Sequence, residues 1–150
     1  MTTPHDDVLL KCVEEENLRK LAGVGEDVDV SWSVEVPCFF EGNIGFADLV
    51  IKTENRKTLV EVKPILRDLG ALLRQVKKYR SELEPDRVVL AVCEDLDDDV
   101  KKVLEHEGVD VCVFDLPDPW EVSVYNGKRQ LKRKKKAYEF RTGGGMGWRE

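Results

Sequence analysis

Histidine is scarce in this sequence and its cysteines are unpaired, and both shortages narrow the chemistry. Cys12, Cys38, Cys93 and Cys112 form no CxxC pair, which argues against a zinc knuckle or a clustered iron–sulfur site. Each stands among apolar neighbours and reads as a buried free thiol. With only His5 and His106 present, a zinc centre built on imidazole is poorly supplied, so any metal is expected to be a hard one held by carboxylates. No apolar run approaches the ~18 residues of a membrane span, and the opening Met1-Thr2-Thr3-Pro4-His5-Asp6-Asp7 lacks the basic start of a signal peptide. No membrane and a cytoplasmic, intracellular location are therefore expected. A GxxxxGK[ST] loop is missing too, so no nucleotide cofactor is expected.

What is present is charge. Of 150 residues, 36% are charged and 41% hydrophobic, with a net charge of -6; the length suits one domain able to bury about two-thirds of its unfolded-chain surface. The charge is unevenly spread. Residues 128–150 hold nine basic side chains against Glu139 and Glu150, a balance of +7, which leaves -13 on residues 1–127. A body of residues 1–127 followed by a basic, Gly-rich arm of residues 128–150 is the expected organisation. Lys132, Arg133, Lys134 and Lys135 are its candidate nucleic-acid contacts, with a solvated tail as the plainer alternative. Gly143-Gly144-Gly145 predicts a flexible end.

Periodicity predicts the elements. Asp6 to Ala22 reads as one helix capped by Asp6 or Asp7, with Leu10, Val13, Asn17 and Leu21 on one stripe and Gly23 and Gly25 ending it. Val28–Val36 alternates as a half-buried strand, with Trp32 in the core, and Pro37 to Asn43 is expected to turn the chain. Ile44–Lys52 and Lys57–Lys63 form a hairpin around Thr53-Glu54-Asn55-Arg56. Arg67–Leu83 is helical, Arg87–Cys93 a central strand, Leu96–Glu107 a surface helix, Val109–Leu116 a further strand, and Glu121–Tyr125 a short strand before the arm. Helices between the later strands imply parallel crossovers and an α/β fold, a mixed sheet flanked by helices. Trp120 and Trp148 are too isolated to form a stacking platform.

Three charges inside the apolar hairpin ask for an explanation. Glu61 and Lys63 are two apart on a strand and share a face. If Glu54 and Asn55 are the central pair of the turn, residue 48 lies opposite residue 61. Asp48 and Glu61 about 5 Å apart in such surroundings would destabilise the fold by repulsion and desolvation unless a cation sits between them. Asp86, Asp99 and Lys101 repeat the same spacing, but on a helix an i, i+2 pair splays apart, so context rejects that copy. An internal ion pair of Lys63 with one acid is the plainer alternative. Gln75 and Tyr79, four apart on the second helix, project together, beside a basic stripe of Arg67, Arg74 and Lys78 able to follow a phosphate backbone. As a plainer reading, Tyr79 is a core-edge residue.

Gly45-Phe46-Ala47-Asp48, then Glu61-Val62-Lys63, then Gln75-Val76-Lys77-Lys78-Tyr79 resembles the PD-(D/E)xK nuclease superfamily, especially its RecB-like and archaeal Holliday-junction-resolvase branches. The likeness spans about residues 8–116, with Ala47 where the name-giving proline would stand. It implies a restriction-endonuclease-like core in αβββαβαβ order and a Mg²⁺- or Mn²⁺-dependent deoxyribonuclease. Asp48, Glu61 and the Val62 carbonyl would hold the metal, while Lys63 orients or deprotonates the attacking water and offsets charge on phosphorus. Gln75 would touch a metal-bound water or a phosphate, and Tyr79 the catalytic lysine or a base. Members often add an acid from the first helix. Glu14, flanking the apolar stripe, is favoured over Glu15 and Glu16. Glu35 is a rival, unless a turn centred at Gly42 pairs Val36 with Asp48 and sends Glu35 to the opposite face. The alternatives are a dimeric, structure-specific endonuclease, for which a homodimer is the expected partner, and a catalytically silent nucleic-acid-binding module. DNA is the expected partner in each nuclease reading.

Overall fold

The structure, a computed structural model, describes residues 2–135. It divides into two compact units, Met1–Asp115 and Leu116–Glu150. In the first, α1 (Pro4–Cys12) and α2 (Glu15–Ala22) precede an antiparallel meander of β1 (Ser31–Phe40), β2 (Asn43–Lys52) and β3 (Lys57–Val62). There follow α3 (Leu69–Leu83), β4 (Arg87–Val92), α4 (Asp98–His106) and β5 (Val109–Val113). The five strands lie in the order β1-β2-β3-β4-β5. β3, β4 and β5 run parallel, as the helical crossovers require.

Two apolar clusters cover the two faces of the sheet. One joins Val50, Leu59, Val88 and Leu90 to Leu72, Val76 and Tyr79 of α3 and Leu104 of α4. The other joins Leu49, Ile51, Val60, Val62, Val89 and Ala91 to Val8, Cys12, Leu18 and Leu21 of the first two helices. Successive residues of β3 and β4 thus bury on opposite faces, which is why both strands read as unbroken apolar runs. Among the described residues, no helix is long and apolar enough to cross a membrane.

The first helical segment differs from expectation. The Thr3 side chain caps α1 by accepting from the Asp6 N–H, and Pro4 takes the first turn, where its missing N–H costs nothing. The helix stops at Cys12, where the Asn17 side-chain amide donates to the Lys11 carbonyl at 2.8 Å. That bond satisfies a carbonyl freed at the helix end, and α2 begins anew with Glu14 as its N-cap. Asn17, read as part of an apolar stripe, is therefore the residue that closes off the first helix.

The first strand differs as well. It continues through Pro37 to Phe40, and the turn narrows to Glu41-Gly42, at φ 48° and 81°, the left-handed pair of a two-residue hairpin turn. Pro37 is tolerated because β1 is an edge strand with one side free of ladder bonds. Trp32 is 45% exposed and is not core. The register pairs Val34 with Leu49 and Val36 with Ala47, so Glu35, not Val36, holds the position across from Asp48.

In the second unit, β6 (Trp120–Tyr125) and β7 (Lys128–Arg133) form an antiparallel ribbon. Residues 128–133 of the basic run thus form one strand of a hairpin, and this unit begins at Leu116. Arg133 lies 6.0 Å from the Trp120 ring centre, Lys134 pairs with Asp118 at 3.0 Å, and Lys132 lies 3.7 Å from Glu121. Lys135 is exposed. The Gly143-Gly144-Gly145 run lies outside the described residues.

Candidate active site

The symmetric turn sets where the two acids meet. Lys52 pairs with Lys57 and Leu49 with Val60, a register that carries residue 48 to the level of residue 61. Beyond that pair the backbone ladder gives way to side chains. The Asp48 N–H donates to Glu61 Oε1 at 3.2 Å, and the Val62 N–H donates to Asp48 Oδ2 at 2.8 Å. Across from Asp48, Glu35 has φ 50°. Ala47 and Leu49 bury in opposite clusters, although residues two apart on a regular strand share a face. The pleat thus reverses at Asp48, and the freed edge of β3 is filled by its carboxylate.

Glu61 is only 1% exposed. Burial, followed by the neighbouring charge of Asp48, pushes its carboxyl up to about 8, against the opposing influence of the Asp48 N–H and the Lys63 ammonium. Near neutral pH the protonated form of Glu61 is therefore favoured. Lys63 is half-buried one residue past the end of β3, with its N–H fixed on the Ala91 carbonyl at 2.9 Å. Among the described residues it forms no ion pair with either carboxylate, although its ammonium opposes the rise of the Glu61 pKa. Because Lys63 bonds toward β4, both the N–H and the carbonyl of Val62 project toward β2 and Asp48.

A residue absent from the sequence-based set completes this cluster. His5 Nε2 lies 2.9 Å from Asp48 Oδ1, and that bond is the main cause of its raised pKa. The imidazole comes from the first turn of α1, 43 positions away in the chain. Glu14 does not reach the cluster: it is exposed at the start of α2 and accepts from Asn17 Nδ2 at 3.4 Å. The helical wheel that favoured it assumed one unbroken helix. Glu35 is exposed and lines a separate cavity with Val34, Val50, Lys57 and Leu83.

Gln75 and Tyr79 hydrogen-bond elsewhere than to the acids, although the charges of Glu61 and Asp48 add to burial in raising the Tyr79 pKa. The Tyr79 hydroxyl donates to the Phe46 carbonyl at 2.9 Å and accepts from Gln75 Nε2 at 3.1 Å. Tyr79 is buried in the core, where it ties α3 to the stretch of β2 leading into Asp48. It does not bond Lys63. Arg74 and Lys78 line a groove beside this pair, whereas Arg67 is exposed ahead of α3, outside that lining.

The donors suit a hard divalent cation. Asp48, Glu61 and the Val62 carbonyl all offer oxygen donors, and the Lys63 ammonium only partly offsets the burial of the Glu61 carboxyl. Among the described residues, however, no three His, Cys, Asp or Glu side chains are grouped closely enough to hold a metal by themselves. A Mg²⁺ ion, which keeps several waters and takes one or two carboxylates, asks for less.

No family model and no curated protein matches the chain. Among solved structures, the fold is similar to the crystal structure of AF1548, a protein of unknown function, with a TM-score of 0.54 and 10% sequence identity. The match covers 77% of this chain and 61% of the other, so this chain spans less than two-thirds of that protein's length.

Proposed function

We propose that this chain is a metal-dependent deoxyribonuclease of the PD-(D/E)xK kind, with a restriction-endonuclease-like core and RecB-like active-site residues. The observation carrying the reading is the contact of the half-buried Asp48 with the buried Glu61 beside Lys63, whose cost in desolvation and repulsion a divalent cation removes. Such a cation, when bound by Asp48, Glu61 and the Val62 carbonyl, supplies Lewis-acid polarisation of a phosphodiester. The chain's own residues do the rest. His5 and the Val62 N–H fix the Asp48 carboxylate from two sides, so little reorganisation is needed when a ligand arrives. Lys63, held by its backbone on β4, directs its ammonium at a phosphate in the site and offsets charge that builds on phosphorus.

One observation favours a catalytically silent form of the same fold. Both Asp48 oxygens already have protein partners, an arrangement complete without metal. Incubating the full chain with single-stranded, double-stranded, flap and four-way DNA in Mg²⁺, Mn²⁺ or EDTA separates the two. Cleavage that needs the cation and disappears in Lys63→Ala supports the nuclease. Binding without cleavage on every form supports the silent module. A closed circle that is also cut identifies an endonuclease.

A further inference from the structure

The groove between α3 and the β1–β2 hairpin is unlike the rest of this acidic chain. Its volume is about 390 Å³, and its lining includes Phe40, Ile44 and Gly45 on one wall and Arg74, Gln75 and Lys78 on the other. Positions 71, 74, 75 and 78 are one face of a helix. Two cations and no carboxylate line it, in a molecule of net charge -6. Arg74 has no ion-pair partner among the described residues, and Lys78 sits 5.6 Å from the Phe40 ring centre. Ile44, near the hairpin tip, is 55% exposed. A wall that joins unpaired cations to bare apolar and aromatic surface is chemically matched to an unstacked nucleotide. The phosphate meets the cations and the base covers the apolar surface.

Size selects the form of nucleic acid. The volume lies near the lower end of small-ligand pockets, enough for about one nucleotide and not for a stacked duplex. Gly45 is three residues before Asp48 on the same strand, about 10 Å along it. A strand whose phosphate lies at Asp48 and Glu61 can thus place a neighbouring nucleotide here.

We propose that this groove binds single-stranded DNA, with Arg74 and Lys78 on backbone phosphates and a base against Phe40 and Ile44, and so makes the chain selective for single-stranded DNA next to the scissile bond. This rests on the nuclease reading. It is tested apart from cleavage, by fluorescence anisotropy of the full chain in EDTA with a labelled oligothymidylate and with a duplex of equal length. The single strand is expected to bind at least tenfold more tightly. Reversing both exposed cations (R74E/K78E) should weaken it by more than tenfold and flatten the salt slope by about 1.4, the release expected for two single-strand phosphates. Phe40→Leu, which preserves an apolar side chain, should weaken it about tenfold through lost stacking. Lys77→Glu, on α3 outside the groove, should have less than half the effect of the double reversal. Equal affinity for duplex, or unchanged affinity in R74E/K78E with an unchanged melting temperature, overturns the proposal. Wild type that binds in this manner yet cuts nothing in Mn²⁺ keeps the groove and removes the nuclease reading. Cleaving protein whose groove variants bind normally loses the groove alone.

Discussion

His5 Nε2 lies 2.9 Å from Asp48 Oδ1, so the first turn of α1 is fastened to the residue at which the β2–β3 ladder opens. The imidazole is 38% exposed, which limits the bond to about 1 kcal/mol after solvent screening. Its pKa is raised, chiefly by that bond. The stabilisation is therefore complete below the ordinary histidine pKa and is lost as pH rises through the folded value. His5→Ala should lower the melting temperature in EDTA more at about pH 5.5 than at about pH 8.5. Equal losses at both would mean that the ring acts by packing alone.

Glu61 works in the same direction with more force. Its carboxyl is pushed up to about 8, so between the ordinary glutamate pKa and that value the folded state holds a proton that the unfolded state has released. Stability must fall as pH rises across this window, by a few kcal/mol at most for a carboxyl this buried. Glu61→Gln, neutral at all pH, should abolish that fall. In wild type, Mg²⁺ or Mn²⁺ should restore the melting temperature more at about pH 8 than at about pH 5. A wild-type curve parallel to that of Glu61→Gln in thermal melts at graded pH contradicts the buried pair.

How much of this was legible depends on which signals were local. The level of Asp48 and Glu61 followed from a symmetric turn, because hairpin register is arithmetic once Glu54 and Asn55 are centred. The copy at Asp86, Asp99 and Lys101 was rejected by context, and the structure does place Asp99 and Lys101 on α4, while Asp86 accepts from the Lys57 N–H. Where a single residue redirected the chain, reading failed. Pro37 reads as a break because its compatibility with an edge strand depends on which strand is the edge, and a turn centred at Gly42 shifts Glu35 from its level by one residue. Asn17 hid the end of α1, and with it the reason to discard Glu14. His5 left no local signal at all, since its partner is 43 residues away.

Tyr79 is bonded on both sides of its hydroxyl, to Phe46 and to Gln75, so Tyr79→Phe deletes two hydrogen bonds with little change in volume. The loss should be about 1–2 kcal/mol, or a few degrees in melting temperature for a chain of this length. A drop that Gln75→Ala fully reproduces would place the effect in the glutamine contact and not in the anchoring of β2.

The thiols should be poor nucleophiles. Burial pushes Cys12 up to about 12 and Cys93 up to about 11, and raises Cys38 and Cys112 as well. Cys12 and Cys38 are buried, while Cys93 and Cys112 are half-buried, a more open placement than their apolar neighbours suggested. Titration of the native protein with a disulfide reagent near neutral pH should leave Cys12 and Cys38 untouched until the chain unfolds, with slow reaction at the other two. Rapid modification of Cys12 would contradict the packing of α1 on the sheet.

The central claim is that Lys63 acts on a phosphodiester held beside Asp48 and Glu61. The most direct measurement is the single-turnover cleavage rate of the full chain and of Lys63→Ala in Mn²⁺, with Mn²⁺ and DNA binding measured in parallel. The account predicts that the variant binds both about as well as wild type and cuts at least ~10²-fold more slowly. Equal cleavage rates in the two proteins, on a substrate that wild type cuts only with the cation present, would contradict it.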